Sequence, residues 1–388
     1  MSRAEVTLGY IPLTDAALPI IAYEMGFAAE EGLTLSLVRE PSWSNIRDKF
    51  AMGVYPAAHM LSPLAIALTA GVGPMTAPVV APMLLGTNGN TLAARPQLAE
   101  RLVQNGARFD DAYSTGQALA RHAKSEGLRV GVPFPHSMHR ELMRLLIERS
   151  GGDLEDVSFT TAPPRVLPRV LEAEEIDVFM VGEPWGTVAV DRGAGELILA
   201  ANRIWSAAPE KVLALNTEWV ESNSEDAEAL LRALYRASLW IGHPSNISTT
   251  AEILALPQYL DTPALLLERA LAGKLVRRFG TVAVPQPDIL RLSGVSAIYP
   301  WQSAAAWIAE RAAPLWGISP IKAQAAALET FRPDLLHRAL APLDAALPTA
   351  LSRVEGRTEA GESVPGTRGP VLVGRSGFFD RSEFSAQI

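Results

Sequence analysis

The chain has 388 residues, of which 48% are hydrophobic and 20% charged, with a formal net charge of −8. That length and composition allow two domains or two lobes with substantial cores, and the acidic balance argues against a general nucleic-acid binder. There is no cysteine, which excludes disulfides, thiolate metal sites and a cysteine nucleophile. No run of 18 apolar residues is free of charge, so a membrane-spanning helix is not expected.

Residues 6–10 read as a core strand. Ile11 and Pro12 turn the chain into a helix over 16–24, with Thr14 or Asp15 as its cap. A secretory leader needs a basic segment, an apolar segment and a small-residue cleavage site. Residues 2–5 leave no room for these, and a lipoprotein anchor would need a cysteine, so the expectation is a cytoplasmic protein.

Residues 33–38 form the next strand, and 43–52 a helix capped by Ser42. The apolar stretch 57–72 reads as a buried helix, and 75–84 contains a strand. A helix near 115–125 precedes a strand over 128–132. Residues 137–149 have helical periodicity and end at Gly151 and Gly152, a C-cap signal. Strands at 157–161 and 177–181 flank a helix over 165–172. This alternation predicts an α/β architecture with mostly parallel sheets.

After the strand at 211–215 the pattern turns helical, over 226–241, 264–271, 304–312 and 321–329. Residues 346–388 are expected to be a partly mobile tail rich in Gly, Ser, Arg and Glu, with 371–379 able to dock. Two α/β lobes with a helical C-terminal portion suit a hinged binding protein. Lobe one is expected to comprise residues 1–90 and 183–345, and lobe two residues 91–182. The crossings fall near 85–90 and 181–185. Ligands in such folds lie at carboxyl ends of strands and amino ends of helices.

Four stretches carry candidate chemistry. REPSWSNIRDK (39–49) puts Trp43, a donor with no acceptor capacity, at a strand-to-helix turn where helix-start N–H groups favour an oxyanion. GVPFPHSMHRELMRLL (131–146) puts His136 and His139 at or near a helix start, where the positive end favours a neutral imidazole. DVFMVGEPWG (177–186) ends a buried strand at Gly182, which permits close backbone approach. Glu183 after it reads as a cap, a supporting hydrogen-bond partner or a counter-ion. APEKVLALN (208–216) opens an apolar strand with Lys211, one of five lysines. Each also has a structural reading: a loop-packing tryptophan, a hydrogen-bonded histidine, a hinge glycine, a strand-end lysine. The spacing of His136 and His139 could suit a metal pair, but no third ligand has recognisable spacing; with no phosphate-binding glycine loop or nucleophile elbow either, neither catalytic nor metal residues are assigned. The chemistry on offer is capture of a compact anion.

The runs LGYIPLTDAALPIIAYEMGF, REPSWSNIRDK, AHMLSPLAIAL, NGNTL, MHRELMR, VGEPW and PEKVLALN, in this order over residues 5–345, resemble the nitrate- and bicarbonate-binding receptors of ABC importers. The resemblance implies a type II periplasmic-binding-protein-like fold that closes on its ligand. It also implies a nitrate site made by Trp43, His139, the Gly182 backbone, Lys211 and an amide at Asn90. It reverses the structural readings of Trp43, His139 and Lys211. Without a leader or anchor, the chain looks like the cytoplasmic nitrate/nitrite sensors of the NasS type. The resemblance therefore implies a partner antiterminator, NasT, with an RNA-binding ANTAR domain, released when nitrate or nitrite binds. It implies no cofactor and no direct contact with nucleic acid. The alternatives are the substrate-binding component of a nitrate ABC importer and an enzyme on the same fold, whose known examples depend on cysteines this chain lacks.

Overall fold

The computed structural model describes residues 4–357 and 362–386. Two five-stranded sheets organise it. Their strands, in chain order, are β1 (Ala4–Tyr10), β2 (Leu33–Arg39), β3 (Ala57–Leu61), β4 (Val79–Leu84), β5 (Asn90–Ala94), β6 (Leu128–Val132), β7 (Val157–Thr161), β8 (Val178–Gly182), β9 (Glu196–Ala200) and β10 (Lys211–Asn216). The first sheet runs β2-β1-β3-β10-β4 and the second β9-β5-β8-β6-β7. The helices used below are α1 (Ala17–Glu24), α2 (Trp43–Ala51), α3 (Ser62–Thr69), α4 (Met138–Arg149), α5 (Trp185–Asp191), α6 (Ser224–Ile241), α7 (Gln302–Trp316) and α8 (Pro320–Thr330).

In each sheet four strands share one direction and one is reversed. β10 is antiparallel to both β3 and β4, and β5 is antiparallel to both β8 and β9. The reversed strands are those that enter a lobe from the other one. They therefore begin at the cleft, whereas the remaining strands end there. The cleft receives the carboxyl ends of eight strands and the first residues of β5 and β10, which are Asn90 and Lys211. β3, β4, β5 and β8 are buried along their whole length, as expected for sheets covered on both faces by helices.

Two expectations need correction. Residues 57–72 are not one helix. β3 is a strand between β1 and β10, Leu61 is extended (φ −62°, ψ 131°), and Pro63 lies in the first turn of α3. A continuous apolar run has no periodicity to separate strand from helix.

Lobe two does not end at residue 182. α5 and β9 follow within it, and the register of β9 on β5 places residues 196–200 in the second sheet. The chain returns through residues 201–210. Asn88, in a left-handed conformation (φ 66°), ties the two crossings together. Its Nδ2 donates to Ser206 O (3.0 Å) and Asp288 O (3.0 Å), and its Oδ1 accepts from Ala208 N (3.1 Å).

Residues 371–379 of the tail dock, as expected of that stretch, and other described tail residues make contacts as well. The backbones of Glu355 and Phe384 exchange hydrogen bonds, and the buried Glu355 carboxylate accepts from Ser303 (2.8 Å) and pairs with Arg353 (3.1 Å). Phe378 packs on Trp205 and Trp307, with ring centroids 4.9 and 5.7 Å away. Ser206 N donates to Gly377 O, and Phe379 N to Ile204 O, so the tail clasps the return crossing.

The lobes are closed on each other. Trp316 at the end of α7 donates to His136 Nδ1 (3.0 Å). Arg311 on α7 pairs with Glu148 on α4 (2.7 Å), and Arg165 pairs with Asp261 (3.3 Å). No helix among the described residues is long and apolar enough to cross a membrane.

Candidate anion-binding site

Ser42 caps α2 by accepting from Asn45 N (3.3 Å), which fixes Trp43 as the first helical residue. Ser137 does the same for α4 through Arg140 N (3.3 Å) and leaves His139 in the first turn. Both helix starts face the cleft from opposite lobes. Asn90 and Gly182 are register partners across β5 and β8, and Lys211 opens β10 opposite Leu61.

Trp43, Asn90, His139 and Lys211 are each at most 1% exposed. Trp43 Nε1 and both His139 ring nitrogens have no hydrogen-bond partner, whereas Lys211 Nζ has the Asp15 carboxylate at 2.7 Å and the Asn90 amide lies against the Glu210 carboxyl without a regular hydrogen bond. Buried polar groups are normally satisfied, so these unpartnered donors beside a buried ammonium mark a candidate ligand site. A Cβ on Gly182 would lie 3.4 Å from Lys211 Nζ and 3.5 Å from Asn90 Oδ1. The bare glycine thus faces the same space as the ammonium and the amide. His139 feels the charges of both Lys211 and Asp15.

The electrostatics suit a donor ring. Burial, then the Lys211 charge, push the His139 imidazole well below its ordinary pKa, with Asp15 opposing. It is therefore neutral, one ring nitrogen donating, with the tautomer set by what it meets. Lys211 supplies the full positive charge.

Three further buried polar residues border these groups, and sequence reasoning missed them. Asp15 Oδ2 lies 2.7 Å from Lys211 Nζ, and Asp15 Oδ1 lies 3.0 Å from His59 Nε2. Burial raises the Asp15 carboxyl, but Lys211 and His59 outweigh it and hold it below the usual carboxylate range. The expected capping role of Thr14 or Asp15 does not occur, since neither side chain makes a cap hydrogen bond to α1 or to the short turn before it. The His59 ring lies 5.7 Å from the Trp43 ring. Glu210, 1% exposed, sits with Oε2 3.7 Å from Lys211 Nζ. The signal for His59 was a lone imidazole inside the apolar run AAHML. Asp15 and Glu210 gave no sequence signal beyond their neighbours.

His136 does not join the ring, because Trp316 holds it at the closed lobe interface. Burial and the nearby Arg140 and Arg47 charges push its pKa down to about 4. Glu183 also stays outside, accepting from Thr91 Oγ1 (2.6 Å) and Thr187 N (3.3 Å) at the start of α5. A cavity of about 450 Å³, lined by Trp43, Arg47, Phe134 and His136 among others, opens outside the buried donors.

Two lobes joined by a paired crossing and closed over a buried donor ring define a periplasmic-binding-protein-like ligand-binding protein. The chain belongs to the NMT1-like family, whose model matches residues 2–255. It is 29% identical over 343 residues to the nitrate/nitrite binding protein NrtA of Synechococcus elongatus, covering 86% of this chain and 77% of that one. It is 31% identical over 322 residues to the nitrate import ATP-binding protein NrtC of Synechocystis, covering 82% of this chain and 47% of NrtC. The chain thus spans about half the length of NrtC. Among solved structures, the periplasmic nitrate-binding protein NrtA of Synechocystis superposes with a TM-score of 0.84 at 24% identity, over 99% of this chain and 96% of that one. A ligand-binding component of an ABC-type import system from Staphylococcus aureus follows with a TM-score of 0.67 at 16% identity, over 87% and 99%. These two share the fold.

Proposed function

We propose that the protein binds nitrate or nitrite between its lobes and acts as a cytoplasmic sensor. Ligand binding would release a NasT-like ANTAR antiterminator and so regulate nitrate-assimilation genes. The observation that carries the ligand is the buried set Trp43, Asn90, His139, Gly182 and Lys211, which offers orphan donors and one ammonium to a planar monoanion. The nitrate/nitrite-binding relatives support it. Donors come from both lobes, so the ligand favours closure. A partner that prefers the open form is opposed by the same coupling free energy.

The sensor role rests on the resemblance alone. A second reading, the substrate-binding component of a nitrate ABC importer, has equal support from the transport relatives. The protein's task in either case is capture rather than turnover.

Titration calorimetry of the ligand-free protein with nitrate, nitrite, bicarbonate and sulfate tests the ligand. Binding of nitrate or nitrite is expected, and binding of bicarbonate alone, or of none of the four, rejects the reading. Pull-down of a NasT-like protein with and without nitrate, beside cell fractionation, separates sensor from importer. A complex dissolved by nitrate supports the sensor, and an exported protein that ignores the antiterminator supports the importer.

A further inference from the structure

Glu210 is a buried titratable group that the donor ring leaves unused. Neither carboxylate oxygen has a regular hydrogen-bond partner. The groups facing it come from five elements. Lys211 lies 3.7 Å away on β10, and the Asn90 amide faces it from the start of β5. Asp15 acts on it from the turn before α1, at 2.7 Å from the same ammonium. His59 on β3 lies behind Asp15, and His139 on α4 lies beyond Lys211. One ammonium therefore stands between two carboxyl groups.

The charge balance decides what the site accepts. Lys211 and Asp15 neutralise each other, and His139 is neutral. An incoming monoanion then adds a negative charge to a closed, water-poor space, and an ionised Glu210 adds a second. Like charges this close in low dielectric repel strongly, and the usual resolution is for one group to take a proton. Of the two carboxyls, Asp15 is held ionised by two partners and Glu210 has the weaker hold on Lys211.

Building on the anion-binding reading, we propose that Glu210 is a specificity-determining residue. It enters the ligand-bound state as a neutral carboxylic acid, so that capture of a proton-free monoanion at Lys211 takes up one proton from solution. A protonated carboxyl gives its O–H to an oxygen of nitrate or nitrite. An ionised one can only accept, and so would suit an anion carrying its own O–H, such as bicarbonate. Burial, against the Lys211 charge, sets the Glu210 pKa up at about 7 in the ligand-free protein, which puts the exchange within the neutral range.

The test is nitrate calorimetry from pH 6 to pH 8.5 in pairs of buffers with different ionisation enthalpies, on the wild type and Glu210→Gln. In the wild type, proton uptake is expected to rise toward one per nitrate above pH 8. Affinity should fall toward tenfold per pH unit there, as linkage requires. Glu210→Gln keeps the shape and a neutral donor, so it should bind nitrate with no proton uptake and a flat pH profile. Nitrate binding without uptake in the wild type, or the same slope in the variant, overturns the role of Glu210 and leaves the anion reading standing. Should neither nitrate nor nitrite bind at any pH, the anion reading fails and this inference with it. The wild-type uptake measurement needs no variant to fold.

Discussion

Lys211 Nζ lies 2.7 Å from Asp15 Oδ2, with both side chains buried, so an anion captured at Lys211 would share the ammonium with a resident carboxylate. Removing one partner of a buried pair leaves the other uncompensated and typically costs 3–5 kcal/mol. Lys211→Met should therefore lose on the order of 3–5 kcal/mol of stability together with anion binding. Adding Asp15→Asn should recover most of the stability and none of the binding. Denaturant melts and nitrate calorimetry on the two variants check this. Binding retained by the double variant would remove Lys211 from the site.

Gly182→Ala separates folding from recognition. The added methyl meets Lys211, Asn90 and Leu13 at 3.4–3.5 Å, ordinary contact distances, so the fold should tolerate it. The methyl occupies space the anion needs. Overpacking of about 1–3 kcal/mol translates into a loss of roughly tenfold or more in affinity with an unchanged melt.

Trp43→Phe removes a buried N–H that has no protein partner and keeps most of the ring. A hydrogen bond to a charged group is worth about 1.5–3 kcal/mol. Nitrate affinity should fall roughly tenfold to hundredfold, while the ligand-free protein melts no earlier than the wild type. Equal affinity in calorimetry would return Trp43 to loop packing.

At the crossings, Asn88→Gly keeps the left-handed backbone and loses three hydrogen bonds. At about 1 kcal/mol each, it should destabilise by roughly 2–4 kcal/mol. Asn88→Ala should cost about 1–2 kcal/mol more, because an L-residue with a Cβ is strained at that φ. Urea titration of both variants decides whether the backbone angle contributes.

Stability of the ligand-free protein should depend on pH through Glu210. Burial raises its pKa from 4.5 to about 7, so between those values the folded state holds more protons than the unfolded state. The stabilisation is complete below about pH 4.5 and is lost as pH rises through about 7. This amounts to on the order of 3 kcal/mol. Asp15 has the opposite sign: its depressed carboxyl stabilises above the ordinary carboxylate range and loses that contribution in strong acid. Melts from pH 5 to pH 8 should show a falling limb in the wild type that is shallower in Glu210→Gln.

Most of the architecture was legible because the elements announce themselves locally. Ser42 and Ser137 cap the helices they were expected to start or precede, and the strands at 128–132 and 157–161 follow their apolar pattern. What stayed hidden was non-local. β3 and α3 share one apolar run, and only the neighbours β1 and β10 make its first half a strand. β9 belongs to lobe two through pairing with β5, a partner more than 100 residues away. Trp43, Asn90, His139, Gly182 and Lys211 were named through resemblance, and the structure adds that all five are buried and that the Trp43 and His139 ring nitrogens have no partner. Asp15, His59 and Glu210 become visible only when strand ends from distant parts of the chain meet.

Asn90, Gly182 and Lys211 lie beside the crossings, while His139 and Trp43 stand farther out on helices from opposite lobes. In any rotation about the crossings, travel grows with distance from the axle. The charged end of the site therefore moves little and is in place before the lobes meet, whereas the outer donors sweep through a longer arc. On the proposed anion reading, charge would hold an arriving ligand first and the outer donors would close on it afterwards.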